Sequence, residues 1–399
     1  MAEPVDVVVV GAGPAGTAAA VTARARGLSV VCVDKARFPR DKTCGDGLTA
    51  NALRLLEKLG VSAADLDATE PAFVRETVLV SPSGRRARLS LPIDGVHAAV
   101  VSRRLLDAGL VAHARRRGVD IREGVAIEGL KQDADSVELT LADGAVLDAA
   151  HVIAADGHWS TVRRALQPDA PRDLGEWHAA RQYFEGVDDE RLWVIFERDL
   201  LPGYAWVFPL PGGRANVGYG VLRSDGRSGR ELKDLWPDLL ARPVMREVLG
   251  PRARPCEPVR AWPIPARYDP ARLAHGRVLF AGDAAGVVDP MTGEGIAQAI
   301  ETGMLAAEAI ATGVDYRRLV HRALGRDLRF ANLLQGILRR PLGARAAIGV
   351  ADLTPWTRRN FARWMWEDYP RAILATPDRW RRGVFTAPGA AFTTPHTRA

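Results

Sequence analysis

Cysteine is nearly absent from this chain: three in 399 residues, at positions 32, 44 and 256. None belongs to a C-x-x-C pair, and no His/Cys cluster has metal-ligand spacing. Neither a disulfide framework nor a bound metal is therefore expected, and a reducing cytoplasm is the expected compartment. Lysine is scarce too, with five residues (35, 42, 58, 131 and 233) in a chain of net charge +6. The basicity rests on arginine, whose planar fork suits phosphates and carboxylates. No nucleic-acid motif accompanies it, so no nucleic-acid partner is expected. No run of 18 apolar residues is free of breaks, so no membrane-spanning helix is expected. Residues 7–23 carry no charge, but Glu3 and Asp6 precede them where a signal peptide would carry Lys or Arg, and Gly13-Pro14 interrupts them. Internal repeats and low-complexity tracts are also missing.

What is present suits an enzyme with an ample core: 47% of residues are hydrophobic and 26% charged, at a length that fits two or three structural regions. A β-branched run, residues 5–10, leads into Gly11-Ala12-Gly13-Pro14-Ala15-Gly16 and then into an Ala-rich stretch. Strand, G-x-G-x-x-G and helix in that order predict the opening βαβ unit of a dinucleotide-binding domain. Gly11 permits the tight turn, Gly13 lets a pyrophosphate reach the backbone, and Gly16 lets helix and strand pack closely. The helix N-terminus offers free N–H groups to anions. A second strand, residues 28–33, ends at Asp34, placed to accept hydrogen bonds from a ribose. No second G-x-G-x-x-G follows a strand. A separate nicotinamide-binding domain is thus not expected, and NAD(P)H would bind transiently or a partner reductase would supply electrons.

Two later segments repeat the strand-then-turn theme. Residues 152–163 contain Asp156-Gly157, and residues 278–303 contain Gly282-Asp283, Pro290 and Gly293-Glu294-Gly295-Ile296. With the first motif they resemble the three fingerprints of p-hydroxybenzoate-hydroxylase-type flavoproteins. The resemblance implies FAD, with Asp34 at the adenosine ribose and Asp283 at the ribityl chain. It puts the turn Gly293–Ile296 beside the isoalloxazine, backbone N–H groups toward N1 and O2. Pro14, Ala15, Lys35, Val125, Asp156, Gly157, Gly282 and Pro290 are implied as further cofactor contacts.

Residues 39–50, with Lys42-Thr43-Cys44-Gly45-Asp46-Gly47, and residues 202–209, with Tyr204-Ala205-Trp206-Val207-Phe208-Pro209, are similar to the geranylgeranyl reductase family. That resemblance puts Cys44, Gly45 and Gly47 beside the isoalloxazine and makes Arg103 an FAD-phosphate ligand. Tyr204, Trp206 and Phe208 alternate, so they share one strand face. By the same resemblance this face lines an apolar tunnel for a polyprenyl chain, although alternating aromatics also suit a plain core. The family often carries Lys after the Pro; here Leu210 stands there. The implied activity is reduction of C=C bonds in a polyprenyl lipid, diphosphate or quinone by hydride from reduced FAD, with Cys44, Tyr204 and Trp206 at the reacting centre. A flavin monooxygenase or halogenase shares the fold and is the alternative. Arg260-Ala261-Trp262-Pro263-Ile264-Pro265 is only a partial echo of the halogenase W-x-W-x-I-P, with Arg and Ala in place of the first Trp and its neighbour and at another place in the chain, which counts against halogenation.

The expected architecture is α/β: a Rossmann-like FAD-binding domain with an inserted antiparallel β-sheet substrate domain and a helical C-terminal region. The FAD-binding domain takes residues 1–72, 97–177 and 273–330, the substrate domain 73–96 and 178–272, and a helical cap 331–399. Helices are predicted near 50–59 and 103–117, a hairpin at 77–80 and 86–91, and short strands near 119–123, 125–131, 136–141 and 145–148. A sheet is predicted across 180–221. Trp356, Trp364, Trp366 and Trp380 lie among many arginines at the C-terminal end, which suits a packed cap with a solvated face; contact with a membrane surface is the alternative.

Overall fold

The computed structural model describes residues 4–92, 95–169, 173–377 and 390–392. Strand β1 (Val5–Val10), helix α1 (Pro14–Ala25) and strand β2 (Val30–Asp34) form the βαβ opening. Helix α2 (Ala50–Lys58), the hairpin of β3 (Glu76–Val80) and β4 (Arg86–Ser90), and helix α3 (Arg103–Arg116) follow. Next come β5 (Asp120–Glu123), β6 (Ile127–Gln132), β7 (Val137–Leu141) and β8 (Val146–Ala154). Four longer strands then run in sequence: β9 (Trp177–Glu185), β10 (Leu192–Ile195), β11 (Tyr204–Leu210) and β12 (Arg214–Leu222). Helices α4 (Gly229–Ala241) and α5 (Pro243–Leu249) precede β13 (Arg260–Ile264) and β14 (Val278–Phe280). The chain continues through α6 (Ile296–Thr312), α7 (Arg326–Leu338), α8 (Pro341–Ala351) and α9 (Pro355–Met365).

The parallel part of the first, eight-stranded sheet runs β14-β8-β1-β2-β5, and β6, β7 and the short Ala274–His275 strand join it antiparallel. Its central strands are continuous apolar runs because both faces are covered. α1 and α6 lie together on one side, close enough that a Cβ on Gly303 would stand 2.1 Å from the Ala15 carbonyl oxygen. The strand expected at 145–148 is longer in the structure and reaches Ala154. Its first half pairs with β7 across the Asp143-Gly144 turn, and its second half enters the parallel sheet. Burial along it changes from alternating to continuous at that transition.

The second sheet runs β13-β9-β12-β11-β10-β3-β4, antiparallel except for the β10–β3 pair. One face packs on α4 and α5 through Leu235, Trp236, Leu239 and Met245. These helices were not expected from the sequence, although Ser228 and Glu231 form a capping box at the start of α4. The other face carries Leu79, Leu192, Val194, Tyr204 and Phe208, and it meets Ile348 of α8 and Ala362 and Trp366 of the α9 end. Trp364 and Trp366 are thus packed inward while Trp356 is exposed; Trp380 lies outside the described residues. No helix among the described residues is long and apolar enough to cross a membrane.

Candidate active site

A cavity of about 700 Å³ lies between the two sheets. Of the predicted site residues, all but Gly16 and Pro290 line it. Gly16 backs the turn instead: a Cβ there would sit 1.7 Å from the Gly11 carbonyl oxygen, as close helix–strand packing requires. Pro290 turns its carbonyl to Trp177 Nε1 at 3.2 Å and to Gln335 Nε2 at 2.5 Å.

The polar end is built on the first motif. Gly11 has φ of 100° and faces the backbone of Ala155, so no side chain fits there. Gly13 caps α1 without any side-chain acceptor on the helix N–H groups. The Cβ it lacks would lie 3.5 Å from an Arg40 guanidinium nitrogen and 3.8 Å from one of Arg103. Both arginines share one carboxylate, Asp107, at 2.7–2.8 Å. Two cations against one anion leave positive charge beside an open helix N-terminus, a fit for a pyrophosphate. Arg40 was missed, although it sits in the loop that carries the reductase resemblance. Asp34 accepts N–H bonds from Ala12 (2.7 Å) and Ala36 (2.8 Å) and keeps lone pairs for ribose hydroxyls. Asp283 pairs with Lys42 at 3.2 Å. Burial alone would push its pKa up, but Lys42 and Arg103 outweigh burial and hold it below the ordinary value.

The turn before α6 is held from two sides. Asp289 Oδ1 accepts the N–H groups of Met291 (2.8 Å) and Thr292 (2.9 Å), while Arg371 Nε donates to its Oδ2 at 3.1 Å. Glu294 Oε1 accepts from Ile296 (3.0 Å) and Ala297 (3.3 Å), and Gly293 N–H bonds to Asp289 O at 2.9 Å. Part of the backbone set expected to face a flavin is therefore engaged by Glu294. Burial, with Glu367 nearby, raises the Glu294 pKa well above the carboxylate range. A neutral carboxyl is a weaker acceptor than a carboxylate, so these N–H groups are lightly held.

The two reductase-like segments, far apart in sequence, meet face to face. Tyr204, Trp206 and Phe208 form a ring ladder with centroids 6.0 Å apart at each step. The Cβ that Gly45 lacks would stand 3.6 Å from the Phe208 ring. Tyr204 donates its hydroxyl to the Thr292 carbonyl, joining the ladder to the turn. Behind the ladder lies a polar network that the sequence did not reveal. Trp206 Nε1 donates to Asn216 Oδ1 at 3.0 Å, and Asn216 Nδ2 donates to Cys44 O and Asp46 Oδ2, both at 2.8 Å. Tyr183 donates its hydroxyl to the same Asp46 oxygen at 2.5 Å, and Arg103 N–H reaches Asp46 Oδ1 at 3.2 Å. Asp46 is fully buried with φ of 66°. Burial pushes its pKa up to about 6 against the opposing hydrogen bonds and arginines. Its position inside Cys-Gly-Asp-Gly was an available signal; a lone Asn on a strand offers none. Burial also raises the Cys44 thiol, over the opposing pull of Arg103, so Cys44 is a neutral thiol at pH 7. Trp262 and Ile264 of the halogenase echo line the cavity as well, with Lys42 Nζ 5.3 Å from the Trp262 ring centre.

The FAD binding domain family matches residues 4–315. A menaquinone reductase of Mycolicibacterium smegmatis is 35% identical over 325 residues, covering 77% of this chain and 76% of that protein. A digeranylgeranylglycerophospholipid reductase of Methanothrix thermoacetophila is 33% identical over 323 residues, covering 77% and 78%. Among solved structures, a geranylgeranyl bacteriochlorophyll reductase-like protein of Thermoplasma acidophilum matches with a TM-score of 0.78 at 23% identity, over 94% of this chain and 99% of that one. The flavin-dependent halogenase CmlS matches with a TM-score of 0.69 at 22% identity, over 93% and 72%. At these identities the structural matches speak for the fold alone.

Proposed function

Because this chain belongs to the geranylgeranyl reductase family of FAD-dependent oxidoreductases, we propose that it reduces C=C bonds of a hydrophobic polyprenyl substrate: a geranylgeranyl-type lipid, a diphosphate or a quinone. The observation that carries the reading is the meeting of the Cys44–Gly47 loop with the Tyr204-Trp206-Phe208 ladder on one cavity wall. FAD, when bound, supplies the hydride. Segments of the first sheet hold it: Arg40, Arg103 and the α1 N-terminus take the pyrophosphate, Asp34 a ribose, Asp283 with Lys42 the ribityl chain. The second sheet holds the substrate, its ladder of inclined rings keeping an aromatic, water-excluding surface along an extended chain. Cys44 presents a neutral thiol to the reacting carbons, a donor of modest strength. Trp206 is fixed in turn by Asn216, so the ladder and the Cys44 loop keep one mutual geometry. NAD(P)H, binding transiently, or a partner reductase restores the electrons. Polyprenyl lipids reside in bilayers, so the enzyme works at a membrane surface.

A flavin monooxygenase sharing this fold is the second reading; Trp262 and Ile264 line the cavity, but Arg260 and Ala261 replace the first Trp of the halogenase motif and its neighbour, which counts against halogenation. One experiment separates the two. Holoenzyme reduced under anaerobic conditions is mixed with a polyprenyl lipid or menaquinone. The reductase reading expects the oxidised flavin spectrum to return and the product to gain one H₂ per double bond. A reaction that needs oxygen, with oxygen or halogen in the product, overturns it.

A further inference from the structure

Besides the apolar residues it turns inward, helix α7 carries a second apolar stripe on the outside. Phe330, Leu333 and Ile337 follow one another at i, i+3 and i+7, so they form one stripe, and they are 36%, 64% and 48% exposed. α8 does the same with Leu342 (76%) and Val350 (59%), and the stripe continues to Leu353 and Trp356 at the turn into α9. Seven of the eleven large hydrophobics exposed among the described residues fall in this short stretch. An amphipathic helix of a globular protein turns such a stripe inward, and a concentrated exposed patch marks an interaction surface.

Two observations name the occupant. The first is charge. Exposed Arg329, Arg339, Arg340, Arg345 and Arg359 surround the patch. The two acids in the same stretch are withdrawn: Asp327 is buried, and Asp352 is held between Arg85 and Arg358. The second is continuity with the active site. Leu334 and Leu338 of α7 and Ala347 and Ile348 of α8 line the cavity. Ile337 belongs to both surfaces, half exposed outside and lining the cavity inside.

We propose that the outer face of α7, α8 and the α8–α9 turn docks on an anionic lipid bilayer, with the cavity opening onto it between α7 and α8. The apolar stripes enter the acyl boundary, the arginines meet headgroup phosphates, and Trp356 sits at the interface. A polyprenyl chain then slides from bilayer to cavity along Ile337 without crossing water. The route rests on the polyprenyl reading; the docking itself is read without it.

The test is co-sedimentation of the holoenzyme with vesicles of phosphatidylcholine, with and without phosphatidylglycerol. Binding is expected to the anionic vesicles and to weaken with salt. Two variants are compared, one combining Leu333→Ser, Leu342→Ser, Leu353→Ser and Trp356→Ser, the other Arg339→Gln, Arg340→Gln and Arg345→Gln. Each should keep its flavin spectrum and melting temperature and lose on the order of tenfold or more in vesicle partitioning. Turnover of detergent-dispersed substrate should be unchanged, while turnover of substrate embedded in anionic vesicles should fall. Wild-type protein that ignores anionic vesicles, or folded variants that bind them equally, would overturn the proposal. So would a dimer that these substitutions dissolve with no effect on vesicles, since the face would then belong to a second copy. Vesicle binding without any prenyl reduction would leave the docking face standing and remove the substrate reading.

Discussion

Gly13 and Gly16 stand in one motif and should fail in different ways. A side chain at Gly13 meets only ordinary contacts in the protein but fills the space a pyrophosphate needs. Gly13→Val is therefore expected to fold and to lose FAD. A Cβ at Gly16 collides with backbone, so Gly16→Ala should lower stability by roughly 1–3 kcal/mol or more. Flavin absorbance and melting temperature, measured together, separate these outcomes; flavin retained in Gly13→Val would remove the binding role. Cys44→Ser should keep fold and flavin and lose most turnover, read in steady-state assays. Asp46 makes a pH prediction. Its folded pKa of about 6 lies above the ordinary 3.8, so its contribution to stability is full below pH about 4 and is lost as pH rises through about 6. The loss is roughly 3 kcal/mol. Denaturation across pH 4–7 should show this slope in the wild type and a flatter one in Asp46→Asn. Parallel curves would mean that Asp46 is ionised throughout.

At the scale of elements, the C-terminal segment clamps the turn before α6. Arg371 reaches Asp289 on one side and the Trp364 and Met365 carbonyls at the end of α9 on the other. Glu367 ties Thr49, at the start of α2, to Gln298 of α6. Arg371 and Asp289 are both buried. Arg371→Met would strand the Asp289 charge, and a loss of about 3–5 kcal/mol is expected in urea denaturation, with weaker FAD retention because the turn loosens. β11 makes the companion prediction. Trp206→Ala removes the middle ring of the ladder and should slow substrate reduction on the order of a hundredfold while leaving flavin reduction nearly unchanged. Rapid-mixing kinetics of the two half-reactions distinguish this from a general folding defect, in which both would fall.

For the whole molecule, the cavity joins the two sheets, so its occupant bears on both. Stripping FAD should lower the melting temperature of the entire chain in one transition. Restoring it at about a hundred times its Kd should return roughly 2.7 kcal/mol. Separate transitions for the two sheets, with only one responding to FAD, would show that the cofactor stabilises the first sheet alone. The position of α7 and α8 at the apolar end also gives the C-terminal segment a place in the site: it supplies cavity wall, turn clamp and outer face together.

The sequence by itself determined the βαβ opening, its glycine turn and the alternating aromatics of β11. Each depends on local chemistry: glycines where a Cβ collides, β-branched runs where both faces are covered, and period-two spacing that puts three rings on one face. The later acid-turn motifs were legible for the same reason. Only the tertiary structure decided that Asn216 and Tyr183 would converge on Asp46, because their partners lie far off in sequence and neither residue carries a local mark. Only it decided that Arg40 would share Asp107 with Arg103, and that Arg371 would reach Asp289. The outward stripes of α7 and α8 show the limit most clearly. Periodicity tells that a helix has an apolar face; which faces find a partner is settled by how the other elements fill the space.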